Sequence, residues 1–221
     1  TGTTGCTGPG GDVIVAVAPP GLRRFTGRTV VSRAPGKAVR MAVMGPDAVA
    51  LAWLNGTCDT TEADAGLPYV AAVRGGSASA PVALGNASAL TVLATPAPSG
   101  ADVSFATSPS GGPAVLMHAQ IAPDGAVAAP VAAPDGWIAL AGDPAGDQLI
   151  GQPDPSGGGA RTPLAARSAV GGMVDAAPLP EVGYPWTSGT FAARGGRALA
   201  ALSFRPLSSM NPSIVVSVWR P

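Results

Sequence analysis

Residues 49–54 read VALAWL, a run that is apolar at every position. Successive side chains of a strand point to opposite faces, so the odd-numbered Val, Leu and Trp share one face while Ala50 and Ala52 share the other. A strand that is apolar on both sides has to be covered on both sides, and small alanine side chains let a second sheet approach closely. The run therefore predicts a strand inside stacked β-sheets, with Trp53 in the core.

Short apolar runs continue along the whole chain, with turns between them. Examples are residues 39–44, 69–74, 102–107 and 214–219, and most runs have about the usual length of a strand. The 31 glycines and 24 prolines interrupt almost every window that is long enough for a helix. The pattern predicts an all-β chain.

Two segments repeat the same order of features. AVRGGSASAPV at 72–82 and AQIAPDGAVAAPV at 119–131 each contain an apolar strand, a turn with glycine and a return that contains Ala-Pro-Val. Residues 150–164 are interpreted as a looser third copy. Proline cannot donate to a strand ladder, so Pro81, Pro130 and Pro163 suit an edge strand or the start of a strand.

Of the two intervals between the prolines of successive copies, one is longer and the other shorter than the roughly 40–45 residues of a four-stranded propeller blade. We therefore expect blade units at 38–85, 88–132 and 136–180, about three strands within 186–221 and about two within 12–34. Pairing of the first and last strands would close the array at about five blades.

The segments quoted above resemble the blades of bacterial secreted β-propellers of the sialidase-like or BNR-like kind, most clearly over residues 39–164. The resemblance implies an all-β propeller of about five four-stranded antiparallel blades. It would occupy residues 12–221 as a single domain, after a flexible Gly/Thr-rich arm at 1–11. A β-sandwich, an up-and-down barrel and a piece of a larger propeller are the alternatives.

The same resemblance implies an arginine cluster, a Tyr/Glu pair and an acidic Asp in a sugar-cleaving site. Only Glu181 and Tyr184 lie close together in the sequence, in a proline-rich loop that ends at Trp186. Exposed Trp side chains stack on sugars in carbohydrate-binding propellers, so Trp137 and Trp186, which follow turns, are candidate ligand-binding residues beside them. An ordinary loop with an aromatic anchor is the alternative interpretation.

Other catalytic patterns are weak. His118 is the only histidine and lies within an apolar run, which favours a structural strand residue over a triad member. The aspartates are scattered and nearly all lie beside Gly or Pro, so they, with Asp102 and Asp124 among them, are interpreted as turn residues that cap their own backbone. The segment Asp143-Pro-Ala-Gly-Asp147 suggests a calcium loop but lacks enough ligands. We therefore assign no catalytic residue, metal or cofactor, and leave enzymatic activity open.

The two cysteines, Cys6 and Cys58, predict one disulfide of an oxidising compartment, with two unrelated thiols as the alternative. The chain starts at Thr1 without a leader, as a mature secreted or cell-surface product would, although a trimmed piece would look the same. The composition, with a single lysine among 13 basic residues and an excess of Ala, Gly and Pro, suggests a GC-rich genome.

The charge balance limits the partners. Thirteen basic and 13 acidic residues leave no net charge, which disfavours a nucleic-acid partner, and no apolar stretch is long enough for membrane insertion. The leading hypothesis is a non-catalytic extracellular binding or structural module with protein or glycan partners, including copies of itself. The alternative is a carbohydrate-binding or degenerate glycoside-hydrolase-like propeller.

Overall fold

The computed structural model describes residues 11–17, 27–56, 66–107, 115–133, 138–142, 145, 148–151, 164–167, 173–174, 186–194, 197–204 and 213–219. Regular structure in these ranges consists of β-strands without any helix, so the described part of the chain holds no helix that could span a membrane. The strands form four antiparallel sheets, named I to IV in chain order. The prediction of an all-β antiparallel chain is confirmed.

Sheet I is the largest and curls into a half-barrel. Its strand order is β1-β2-β3-β4-β5, and β6 pairs with β4 beside β5. The hydroxyl of Thr29 in β2 donates to the carbonyl of Gly76 in the turn between β4 and β5, which links parts of the sheet that are not neighbours in the strand order. The strands are β1 (Gly11–Val17), β2 (Gly27–Val43), β3 (Ala48–Asn55), β4 (Leu67–Arg74), β5 (Ser77–Ala78) and β6 (Val82–Ala83).

Strand β2 is one bent strand where the sequence predicted two strands around Pro35-Gly36. Pro35 lies where the pairing with β1 changes register, so its missing N–H removes no regular ladder bond. Farther along, Ala38 and Val39 both lie opposite Trp53, which makes a β-bulge with Ala38 at a φ of 51°. The bulge bends β2 so that its first half pairs with β1 and its second half with β3.

Sheets II and III are meanders of four consecutive strands, and sheet IV is a meander of three. Sheet II contains β7 (Ala89–Ala97), β8 (Gly100–Thr107), β9 (Val115–Ile121) and β10 (Val131–Ala132). Sheet III contains β11 (Ile138–Gly142), β12 (Gln148–Gly151), β13 (Leu164–Arg167) and β14 (Met173–Val174). Sheet IV contains β15 (Trp186–Arg194), β16 (Arg197–Phe204) and β17 (Ser213–Trp219).

The third copy predicted at 150–164 is wrong. Its two strands, β12 and β13, are the second and third strands of sheet III, whereas segments 72–82 and 119–131 join the inner strands β4 and β9 to an edge of the sheet. The return strand β13 is paired on its far side with β14, so it is not an edge. Sequence letters alone do not show whether a return strand has a further neighbour.

In segments 72–82 and 119–131, the residues after the turn fold back onto the strand before it, and they make equivalent contacts in the two sheets. In both sheets a proline directly precedes the edge strand, as expected, and the valine that follows it is exposed. In sheet I, Val73 pairs with Ala78, Val70 with Val82 and Tyr69 with Ala83, while the amides of Ser79 and Leu84 donate to the carbonyls of Ala72 and Pro68. In sheet II, Ile121 pairs with Val127, His118 with Val131 and Met117 with Ala132, while the amides of Ala128 and Ala133 donate to the carbonyls of Gln120 and Leu116.

Neighbouring sheets contact one another in chain order, through the second strand of sheet I and the first strands of sheets II, III and IV. Strand β2 contacts β7, β7 contacts β11, and β11 contacts β15. Each sheet thus packs beside the next one in the chain.

The main core lies between sheets I and II. Ala50 and Ala52 have no exposed surface and belong to the same buried cluster as Val103 and Phe105 of β8. The other face of β3 carries Trp53, which is 1% exposed and packs inside the curl of sheet I. The predicted smooth alanine face and the buried Trp53 are both confirmed.

A leucine at position 52 tests the close approach of these two sheets. Ala52→Leu inserts a larger side chain at a site without free space, and we expect it to lower the free energy of unfolding by about 1–3 kcal/mol in urea titrations. Ala83→Leu, on the exposed edge strand β6, is the matched control and should change it by about 0.5 kcal/mol or less. Equal values for the two variants would contradict the packing described here.

Substitutions at Ala38 test the bulge. An alanine with positive φ is strained by roughly 1–2 kcal/mol, and glycine removes this strain at an entropic cost of about 0.5–1 kcal/mol. We expect Ala38→Gly to raise the free energy of unfolding by about 0.5 kcal/mol and the β-branched Ala38→Val to lower it. Thermal unfolding measures both, and effects of the same sign would rule out the left-handed conformation.

Candidate functional site

Most residues of the predicted loop site lie outside the described residues. This holds for Trp137, Glu181 and Tyr184, and also for both members of the predicted disulfide, Cys6 and Cys58. Trp186 is the first residue of β15, where its backbone is in register with Phe204. A ligand-binding role for these side chains and the disulfide stay predictions.

His118 and Asp124, both considered as catalytic candidates, lie in a strand and in a turn, as the sequence indicated. His118 lies in the middle of β9, half-buried, between Ser104 of β8 and Val131 of β10. Asp124 lies in a turn, where its Oδ1 atom accepts a hydrogen bond of 3.0 Å from the amide of Ala126. Capping of its own turn accounts for Asp124 without chemistry.

The two faces of sheet II differ in polarity. The face toward sheet I is apolar and includes Val92, Val103 and Phe105. On the opposite face, Thr95 of β7 and Asp102 of β8 lie side by side as a cross-strand pair. His118 of β9 lies farther along the same face. This opposite face meets sheet III, because Asp102 is hydrogen-bonded to the first residue of β12.

A small cluster of oxygen atoms lies at this contact between sheets II and III. The Nε2 atom of Gln148 donates to Oδ2 of Asp102 at 2.6 Å. Thr95 is 2% exposed and Gln148 8% exposed, so the contact is almost closed to solvent. The other carboxylate oxygen of Asp102, Oδ1, and the hydroxyl oxygen of Thr95 are buried without a hydrogen-bond partner in the protein.

The sequence interpretation missed this cluster because it treated Asp102 as a turn-capping aspartate, although residues 102–107 were also predicted as a strand. The structure places Asp102 in β8, two residues after the glycine that begins the strand. A usable signal was present, since polar Asp102 and Ser104 alternate with apolar Val103 and Phe105. Such alternation marks a strand with one polar face. The partner Gln148 is 46 residues away, and nothing local indicates it.

A second candidate is an apolar row on the second half of β2, formed by Val39, Met41 and Val43 and named here the β2 row. All three side chains are exposed, Met41 by 60%. Met41 pairs with Leu51, so both point to the concave side of sheet I. The β1–β2 hairpin covers Leu51 there but leaves the β2 row uncovered.

The row is unusual within the described surface. The exposed valines of the edge strands β6 and β10 are single apolar residues, whereas the β2 row places three in succession on one face. Isolated exposed apolar side chains are ordinary, but contiguous ones mark contact surfaces. The β2 row is therefore the surface of sheet I that is best suited to contact another molecule.

No family model matches the chain, and no curated protein is significantly similar to it in sequence. The assignment of function therefore depends on the geometry of the sheets and their exposed faces.

Proposed function

We propose that this chain is a non-catalytic extracellular structural module with a propeller-type fold, and that it binds a second copy of itself through the β2 row. The exposed apolar β2 row is the observation that carries the proposal.

The propeller-type fold is supported by the order of the sheets. Sheets II and III are four-stranded meanders, and contacts of β2 with β7, β7 with β11 and β11 with β15 link each sheet to the next, as between blades around a common axis. The matching contacts of segments 72–82 and 119–131 support equivalent places in successive blades. The described strands form four sheets, so the number of about five blades, closed by the first and last strands, belongs to the proposal alone; β1 and β17 each lie at the end of a sheet.

The proposed occupant of the β2 row is a β-sheet like those of the chain itself. Strand β7 contacts a strand of another sheet on each side, β2 of sheet I and β11 of sheet III. Strand β2 has such a neighbour on its Ala42 side, where it meets sheet II, while the β2 row on its other side is exposed. A second copy supplies a surface of the same small apolar residues.

Charge does not oppose this self-association. The chain has no formal net charge, so two copies do not repel each other over long distances. The β2 row covers only part of the roughly 800 Å² per partner that stable complexes bury, so we expect a weak, concentration-dependent dimer.

Glutamate at position 41 tests the proposed interface. Met41→Glu places a charge in the centre of the β2 row, and we expect it to weaken self-association by about 30-fold or more, the effect of about 2 kcal/mol. Sedimentation equilibrium over a range of protein concentrations measures the dissociation constant. Val131→Glu changes a similarly exposed apolar residue on the edge strand β10 and should leave the constant unchanged.

Three results would contradict the proposal. The wild-type chain could remain monomeric at all concentrations, both variants could weaken association equally, or a different surface could be protected when the dimer is mapped by hydrogen exchange. Unchanged thermal unfolding of Met41→Glu in its monomeric form would show that the substitution acts on association and not on folding.

A further inference from the structure

We propose that Met41 is an oxidation site, at which a hydroperoxide converts the thioether to a sulfoxide and thereby weakens self-association. The inference rests on the proposed contact between two copies through the β2 row, because it concerns how that contact is controlled.

Exposure separates Met41 from Met44 and Met117. The side chain of Met41 is 60% exposed, whereas Met44 and Met117 are partly buried and pack against the core between sheets I and II. Met44 is only three residues farther along the chain, just after β2 has ended. A peroxide in water has to reach the sulfur atom, so exposure directs the reaction to Met41.

The residues around Met41 do not compete for the oxidant. Val39 and Val43, its neighbours in the β2 row, and Leu51, its cross-strand partner, have side chains of aliphatic carbon only. The indole of Trp53 packs in the same cluster as Leu51 but is 1% exposed. The sulfur of Met41 is therefore the oxidisable atom of the β2 row.

The reaction needs only the peroxide. With hydrogen peroxide, a lone pair of the sulfur attacks one oxygen, and the O–O bond breaks as the S–O bond forms. The second oxygen leaves as hydroxide and takes the proton of the first to become water. The sulfur loses two electrons, the peroxide gains them, and the product is methionine sulfoxide.

A sulfoxide does not suit an apolar contact. Its oxygen accepts hydrogen bonds, and the valine side chains on either side of Met41 have no donor. Burial against a second copy removes the water that satisfies this oxygen, and the cost of that desolvation opposes association. In the single chain the exposed sulfoxide stays hydrated, so we expect the fold to keep its stability.

Association and oxidation oppose each other. The contact between two copies covers Met41 and protects its sulfur, while the sulfoxide favours the single chain, as linkage between the two equilibria requires. Because the expected dimer is weak, dilution exposes the sulfur again. Methionine sulfoxide reductases reverse the oxidation, so the change in association is reversible as well.

The test combines peptide mapping with sedimentation equilibrium on the full chain. Dilute protein is treated with hydrogen peroxide, the reaction is stopped with catalase, and mass spectrometry measures the sulfoxide at each methionine. Met41 should be oxidised about tenfold faster than Met44 and Met117. The oxidised chain should self-associate about tenfold more weakly, because a buried polar group then lacks a partner. Sulfoxide reductases with a thiol reductant should restore the original dissociation constant, whereas the reductant alone should not.

Two leucine variants locate the effect. Met41→Leu removes the sulfur, so its dissociation constant should be the same before and after peroxide. Met44→Leu is the matched control, because it removes the neighbouring sulfur with little change in volume, and its association should still weaken with peroxide.

The outcomes separate this inference from the proposed function. Equal oxidation rates for the three methionines, an unchanged dissociation constant after oxidation of Met41, or a response to peroxide in Met41→Leu would overturn the inference and leave self-association standing. A wild-type chain that stays monomeric at all concentrations would overturn both.

Discussion

Contact between sheets I and II through alanine side chains is the constraint on which the rest of the structure depends. Ala50 and Ala52 of β3 bring the backbone of sheet I close to Val103 and Phe105 of sheet II. Small side chains contribute little dispersion energy individually, so the core collects it from many short contacts. The close approach extends to the edge of the sheets, where a Cβ atom added at Gly125 would lie 2.7 Å from the Cβ of Ser79.

The bulge at Ala38 allows one strand to belong to two parts of the molecule. The first half of β2 forms a hairpin with β1 that covers Trp53 and its neighbours, while the second half continues the regular sheet beside β3. The curl of sheet I is thus closed over its centre but open along the β2 row. A surface for another chain arises there as a consequence of how the bulge divides the strand.

Sheet II has a different role on each face. Its apolar face stabilises the contact with sheet I, whereas its polar face brings Thr95 and Asp102 against Gln148 of sheet III. Gln148 donates to one carboxylate oxygen of Asp102 at this contact, whereas the other carboxylate oxygen and the hydroxyl oxygen of Thr95 are buried without a partner in the protein.

Sequence alone determined the features that follow from local periodicity: the all-β class, the smooth alanine face of β3, the buried Trp53 and the edge strands after Pro81 and Pro130. The first three depend on how apolar and polar side chains alternate along a single strand. The edge strands depend on proline, which has no N–H for a ladder hydrogen bond. Tertiary structure decided that Pro35-Gly36 lies inside one strand, that residues 150–164 join inner strands, and that Asp102 meets Gln148. Each of these outcomes depends on which distant strand becomes a neighbour. The periodicity of side chains along one strand does not identify that neighbour.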